Sequence, residues 1–439
     1  MLFLSIDFGT SAVKMSILTE DAVTICSAKE SYPYVLLPGE KVEMKAQDLW
    51  KAAFSAADRL DPKYKSQVEF LCYDTYSPSP VFLDKCGNLV YPNIITHMDR
   101  RSREQSKYID KFFGKEKYMN ITGIYPFPGG CSAMTFLWFS KNEPQILKNS
   151  YRLGHLTSYI HKALTGEFMV DLVNASMMGM YDTVNMSGWS KELINAFGLE
   201  EDLFGEIYTP GKRLGSLLPE MADKLGLKAG IPVAVGTNDV AAAQVGADNV
   251  KAGEIMNTTG SSEMVSILTD KAKVDPEYYL RSSAIPGLWQ IYATTAGGFA
   301  VDWFYTQFCK EMSKEEFYEY VAKSILTCSK GNEVTFDPYL TGDRQSLRKK
   351  KAAVRGLTLN ATRDQILYAM LKSMQGVLRG AITKAGKVVE LSKVIKISGG
   401  MANDTYLSLK RLEIPGFDYQ IVDDCPIKGN VKLVNRYLK

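Results

Sequence analysis

Asp239 stands alone as a charge in an apolar, small-residue run, Gly236-Thr-Asn-Asp239-Val-Ala-Ala-Ala-Gln-Val-Gly246. Burying an unpaired carboxylate costs roughly several kcal/mol unless the group is bonded or used. A strand-like segment follows, Gly253-Glu-Ile-Met-Asn-Thr-Thr, and it turns at Gly260-Ser261-Ser262. Such a turn presents backbone N–H groups and hydroxyls, the donors that bind a phosphate. The N-terminus repeats the device. Leu2-Phe-Leu-Ser-Ile-Asp7 alternates into an Asp, and the chain turns at Gly9-Thr10-Ser11. A carboxylate able to take a proton, beside two phosphate cradles, points to phosphoryl transfer to an alcohol. Two copies of strand, Gly plus hydroxyls, strand suggest duplicated lobes facing one nucleotide.

These motifs need a large scaffold. At 439 residues the chain exceeds one ordinary core, and two domains are expected. Hydrophobic residues make up 46% and charged residues 23%, the balance of a globular protein. Net charge is +3 with the signs interspersed, so neither nucleic acid nor a membrane surface is an expected partner. Arg348-Lys-Lys-Lys351 reads as a solvated loop. Seven cysteines without CxxC spacing read as reduced thiols rather than a disulfide frame or a zinc site. The first residues lack a basic segment and reach Asp7 too early for a signal peptide. No apolar run approaches the roughly 20 residues of a membrane span. A soluble, cytoplasmic protein is expected.

The elements that position the motifs follow from periodicity. Leu2 to Cys26 reads as a three-stranded antiparallel meander with two tight turns. Ala46 to Ala57 has helical spacing, and Val68–Tyr73 reads as a strand. Asp74-Thr-Tyr-Ser-Pro-Ser-Pro80 is expected to be irregular, and Val81-Phe-Leu-Asp84 to resume as a strand. Buried helices are expected at Met134 to Phe139, closed by Asn142-Glu-Pro144, and at Ser158 to Leu164, stopped by Thr165-Gly166. Ile231-Pro-Val-Ala-Val235 is a short strand entering the Asp239 motif. The domain division is therefore placed at 231/232, giving domains 1–231 and 232–439. The second half repeats the pattern, ending in Val394-Ile-Lys-Ile-Ser-Gly399-Gly400, a strand running into a diglycine where a ligand can approach backbone.

In this order the motifs resemble the FGGY family of carbohydrate kinases, within the larger actin-like, Hsp70-like ATPase fold. Asp7-Phe-Gly-Thr-Ser11 is similar to its first phosphate motif. Ile94-Ile-Thr-His-Met-Asp99-Arg-Arg101 is similar to its Trp-x-Asp-x-Arg segment, with His97 in place of Trp. Gly130 to Asn142 follows a family signature, with Thr135 in place of Lys, and Asp171-Leu-Val-Asn174-Ala-Ser176 and Trp189 fall in place. Gly236–Gly246 resembles the catalytic segment and Gly260-Ser261-Ser262 the second phosphate motif. Phe336-Asp-Pro-Tyr-Leu-Thr-Gly342-Asp-Arg344 resembles Pro-Tyr-Leu-x-Gly-Glu-Arg. Gly356-Leu-Thr-Leu matches a further signature, with Lys372 where an acid is usual, and Ser398-Gly-Gly400-Met-Ala-Asn403 resembles the adenosine motif. The chain departs elsewhere. Ser77-Pro78 stand where pentulose kinases carry Met-His and glycerol kinases Arg-Glu, and Lys428-Gly429-Asn430 stand where Gly-Ala-Ala precedes a longer tail.

The resemblance implies an α/β fold of two actin-like, ribonuclease H-like ATPase domains around a cleft. It implies an ATP- and Mg²⁺-dependent kinase acting on a small sugar, sugar acid or polyol, with a pentulose such as xylulose foremost. Asp239 would be the general base and touch the substrate with Ser77, Pro78 and Asp99. Gly9, Thr10, Ser11, Gly260, Ser261, Gly399, Gly400 and Asn403 would bind ATP, and Asp7 would hold Mg²⁺ through water. Plainer readings stand beside these. Asp239 could be a helix cap, Asp7 a turn residue, Asp99 with Arg101 a structural salt bridge, and His97, His155 and His161 packed side chains. A degenerate kinase serving as a nucleotide or sugar sensor is the alternative function, and an ATPase acting on proteins a third. Oligomeric state is open, a homodimer being common in similar families.

Overall fold

The computed structural model describes residues 1–329, 331–340, 342 and 350–438. The Phe336–Arg344 motif is thus described only in part, since Thr341, Asp343 and Arg344 lie outside the described residues, as do Arg348 and Lys349 of the basic run.

The first sheet grows from the expected meander. Strands β1 (Leu2–Phe8), β2 (Ala12–Thr19) and β3 (Thr24–Ser31) pair antiparallel. β4 (Val68–Thr75) lies parallel to β1 on its other side, and β5 (Arg213–Ser216), β6 (Pro232–Ala234) and β7 (Thr237–Asn238) complete seven strands in the order β5-β6-β4-β1-β2-β3, with β7 also on β4. β4 runs two residues further than its sequence suggested, because Asp74 and Thr75 keep the ladder with Asp7 and Phe8. Pro80 then opens the next short strand, Pro80–Leu83.

Phe3, Leu4, Ile6 and Phe8 are all buried, so β1 is apolar on both faces. Helices α1 (Ala46–Asp58) and α2 (Leu156–Thr165) cover one face, where Leu49, Ala52, Ala53 and Ala56 meet Leu4, Ile6 and Phe8. α2 stops at Gly166, which adopts the left-handed conformation at its end. α3 (Leu172–Met178) lies beside β7, and α4 (Asp239–Gly246) leaves it.

The second sheet repeats this plan. β8 (Ile255–Thr259), β9 (Ser262–Thr269), β10 (Tyr279–Ser282) and β11 (Trp289–Ala296) form the antiparallel part. β12 (Val394–Ser398) and β13 (Asp418–Ile421) add parallel to β8, in the order β10-β11-β9-β8-β12-β13. α5 (Arg363–Ala385) packs Leu378, Ala381 and Ile382 on this sheet, and α6 (Asp404–Glu413) connects β12 to β13.

The final helix, α7 (Cys425–Asn435), returns to the first sheet. Its Ile427, Val431 and Val434 fill the face opposite α1, against Phe3, Phe70 and Cys72. The expected 231/232 division is therefore crossed twice: β6 and β7 belong to the first sheet, and so does the packing of α7. The sequence showed no sign of this return because an amphipathic helix does not name the face it will cover.

α4 and α7 cross at very short range. A Cβ on Gly429 would lie 1.9 Å from the Ala242 carbonyl oxygen, and one on Gly246 would lie 1.8 Å from that of Cys425. The alanine run of α4 thus serves close helix approach. Gly429→Ala is expected to destabilise the protein by about 2–4 kcal/mol, read from denaturant unfolding. An unchanged midpoint would show that the crossing relaxes freely.

Candidate active site

The ends of β1, β4 and β7 carry Asp7, Asp74 and the approach to Asp239. Parallel register sets Asp7 beside Asp74, and the two carboxyl groups lie within hydrogen-bonding reach. Asp74 is fully buried, and one oxygen of each side chain is buried without a protein donor. Asn430 of α7 donates to the other Asp74 oxygen at 2.6 Å and to Ser5 Oγ at 3.1 Å.

Asp239 is the first residue of α4 rather than its cap. Asn238 takes that role, its Oδ1 accepting from Val240 N and Ala241 N. Asp239 Oδ1 accepts from Asn238 Nδ2 at 2.7 Å and Val240 N at 2.8 Å, which leaves Oδ2 for a proton. Burial pushes the Asp239 carboxyl up to about 7, and the charge of Asp7 adds to this, while Val240 N–H, Arg281 and Asn238 pull it back. Burial likewise raises Asp7 to about 6, tempered by Asp74 and by Lys14. Asp74 is held well above the carboxylate range by burial and then by the charges of Asp7 and Asp239. An upward-shifted carboxylate in a cleft fits a group that must accept a proton near neutral pH.

Both Gly/hydroxyl turns close as hairpins. Gly9 N donates to Ala12 O at 3.0 Å and Gly260 N to Ser262 O at 3.0 Å, with Thr10 partly exposed and Ser11 exposed. Gly399 lies directly behind the second turn, with φ +114° and room for no side chain, since a Cβ would stand 2.3 Å from Thr259 O. Gly400 faces open space. Asn403 is exposed but caps α6, its Oδ1 accepting from Tyr406 N at 3.0 Å. Asp7, Lys14, Gly399 and Ala402 line one cavity of about 380 Å³ between the two sheets, closed on the far side by residues 421–427.

The expected sugar side divides. Ser77 Oγ donates to Asn174 Oδ1 at 2.6 Å, and Pro78 is buried. Asn174 also bonds Asp171 Oδ2 at 2.6 Å and His155 Nδ1 at 2.6 Å, and Thr237 Oγ1 donates to Asp171 at 3.0 Å. This buried chain fastens the Ser77 loop to β7, just ahead of Asp239. Burial lowers His155 to about 4, so it is neutral and structural. Asp99 is drawn off differently. Its two oxygens accept from Arg101 Nε and Nη2 and from the backbone N of Arg101 and Val42, and Arg101 also pairs with Glu43. With its acceptor positions filled and 2% of its surface exposed, Asp99 shapes the fold and does not present a free carboxylate to a ligand.

With this geometry in place, similarity to known proteins is informative. The family profile described as the FGGY family of carbohydrate kinases, N-terminal domain, matches residues 2–246. The chain belongs to the FGGY family of carbohydrate kinases. It is an ATP-dependent carbohydrate kinase of the two-domain, actin-like fold. It is 25% identical to the xylulose kinase of Escherichia coli (strain K12) over 98% of this chain and 89% of that protein. It is 22% identical to the gluconokinase of Bacillus subtilis (strain 168), over 84% and 74%. Among solved structures it superposes on a ligand-bound xylulose kinase from Lactobacillus acidophilus with a TM-score of 0.87, covering 99% of this chain and 89% of that one at 18% identity. The Plasmodium falciparum glycerol kinase with ADP gives 0.85 over 99% and 88%, also at 18% identity.

In this kinase the motifs did not mark four residues. Asp74 ends β4 as Asp7 ends β1, and that parallel was the available signal. Lys14 faces Asp7 across the first hairpin and pairs with Asp424 ahead of α7. Arg281 is buried on β10 with its guanidinium 4.1 Å from the Tyr292 ring, and its charge acts on Asp239 from the second sheet. Asn430 lay in a segment noted only for its departure from the family.

Two pH effects follow. A general base at Asp239 would work deprotonated, so kcat/KM is expected to rise with pH through about 7 and to level above it. A profile flat from pH 5 to 8 would remove Asp239 as the base. Asp7 and Asp239 have folded values above the unfolded 3.8, so their contribution to stability is complete below about pH 4 and is lost as pH rises through 6 to 7. The Tm of metal-free protein should fall over that range, and Asp239→Asn should flatten the fall.

Proposed function

We propose that this kinase transfers the γ-phosphoryl group of ATP to a hydroxyl of a small sugar, sugar acid or polyol, with a pentulose such as xylulose foremost. The observation that carries this reading is the desolvated Asp239, its Oδ1 fixed by two donors and its neighbour Asp7 beside the phosphate turns. The xylulose kinases among its relatives support the pentulose.

Asp239 Oδ2 would take the acceptor's proton as the acceptor oxygen bonds to the γ-phosphorus and the γ-phosphorus–bridging oxygen bond breaks, the electron pair leaving with ADP. Gly9 and Gly260 would let the phosphates approach the turns, the N–H groups and hydroxyls of Thr10, Ser11 and Ser261 would hold the phosphate oxygens, and Gly399–Gly400 would admit the nucleoside against bare backbone. The residues fit Mg²⁺. Asp7 offers a buried oxygen with no protein donor, as suits an ion held by one or two carboxylates, water and phosphates. Bound there, Mg²⁺ would neutralise charge on the phosphates. Ser77 would meet the sugar with its hydroxyl proton already given to Asn174, and so as an acceptor.

Coupled ADP release across ketopentoses, ketohexoses, polyols and sugar acids tests the reading. One acceptor should give strong turnover, and Asp239→Ala should lower it by about 10³-fold or more while ATP still binds. Silence across the panel with ATP bound, or equal loss of ATP affinity in the variant, would count against it.

A further inference from the structure

Behind the second phosphate turn lies a charged network that the transfer chemistry does not use. Glu263 follows Ser262 on β9 and is fully buried, and its partner Lys410 on α6 is 1% exposed at the side chain. Lys410 Nζ pairs with Glu263 Oε1. Glu263 Oε2 accepts from the Tyr406 hydroxyl and from Gln375 Nε2 at 3.1 Å, and Gln375 also donates to the Tyr406 oxygen at 2.7 Å. The void beside Lys410, lined by Val265, Ile395 and Ile414, has no room for water. The charges can be satisfied only by each other and by these two polar side chains.

Such a network is a poor device for stability alone. Desolvating two charges is expensive, and apolar residues of similar volume often serve as well or better. Its location is the informative part. Tyr406 and Lys410 stand four residues apart on one face of α6, so both reach Glu263. The backbone N of the same Tyr406 donates to Asn403, the cap that starts α6 directly after Gly399–Gly400. On the other side, Glu263 pairs with Thr259 across the hairpin that carries Gly260 and Ser261. Thr259 Oγ1 donates to Ser398 O at 3.0 Å, and Met401 N reaches Thr259 O at 3.4 Å. Both nucleotide loops therefore hang from Glu263.

We propose that Glu263, with Lys410 and Tyr406, is a positioning element that fixes the spacing between the second phosphate turn and the diglycine loop, and so sets the affinity for ATP. The proposal rests on the nucleotide assignment above. None of the three residues touches the reacting atoms. They act through Ser261 on one side and through Gly400 and Asn403 on the other.

The test uses the full chain and measures ATP binding by calorimetry without sugar, beside thermal unfolding and steady-state kinetics. Glu263→Leu combined with Lys410→Met removes both charges and keeps volume, so Tm should stay within a few degrees of the parent or rise. ATP should bind at least about tenfold more weakly, and the KM for ATP should rise by a similar factor with the KM for the acceptor unchanged. Glu263→Gln combined with Lys410→Met, which keeps an acceptor for Tyr406 and leaves no unpaired charge, should recover part of the ATP affinity. A folded double variant with the parent's ATP affinity would overturn the proposal and leave the network a purely structural one. Failure of the parent itself to bind ATP would overturn the nucleotide assignment and this element with it.

Discussion

Three carboxyl groups share one desolvated space at the ends of β1, β4 and β7, and much of the architecture answers that crowding. Burial raises the proton affinity of all three; the charge of Asp7 adds to this at Asp74 and Asp239, while hydrogen bonding with Asp74 tempers it at Asp7. A strand pairing that sets Asp7 beside Asp74 is tolerable only if something supplies protons, donors or positive charge. Asn430 supplies a donor from α7, Lys14 a charge from the same hairpin, and Arg281 a charge from the second sheet.

The helix pair α4 and α7 is what allows those contributions to converge. Glycine and alanine at the crossing bring the two backbones together, and this closeness puts Asn430 within reach of a strand more than 350 residues earlier. The same crossing carries Asp239, at the start of α4, into the seam between the sheets. Gln244, five residues further on, bonds Ser266 of the second sheet at 2.8 Å. A single short helix thus touches both halves and holds the proposed base between them.

The two halves repeat a plan but answer different demands. The first phosphate turn is backed by carboxylates and by Lys14 with Asp424. The second is backed by the enclosed Glu263–Lys410 pair. The asymmetry fits a metal held on one side and a nucleoside held against backbone on the other, with Gly399 and Gly400 lacking side chains where the approach is closest.

Local chemistry wrote much of this plainly into the sequence. Alternating apolar residues into Asp7, the Gly9–Ser11 turn, the alanine run after Asp239 and the diglycine after β12 each reflect short-range periodicity and backbone freedom, and each was legible without coordinates. The family resemblance added the order of the motifs. Tertiary structure alone decided what those residues meet. Whether Asp99 is offered to a ligand or spent on Arg101 and the Val42 backbone depends on which strand lies beside it. Whether Asn238 or Asp239 caps α4 depends on how β7 delivers the chain. That Asp74, Asn430 and Ser5 converge, or that α7 belongs to the first sheet, depends on contacts between segments hundreds of residues apart. Sequence patterns carry the period of an element and the face it must bury, and the partner on that face is fixed only when the whole core packs.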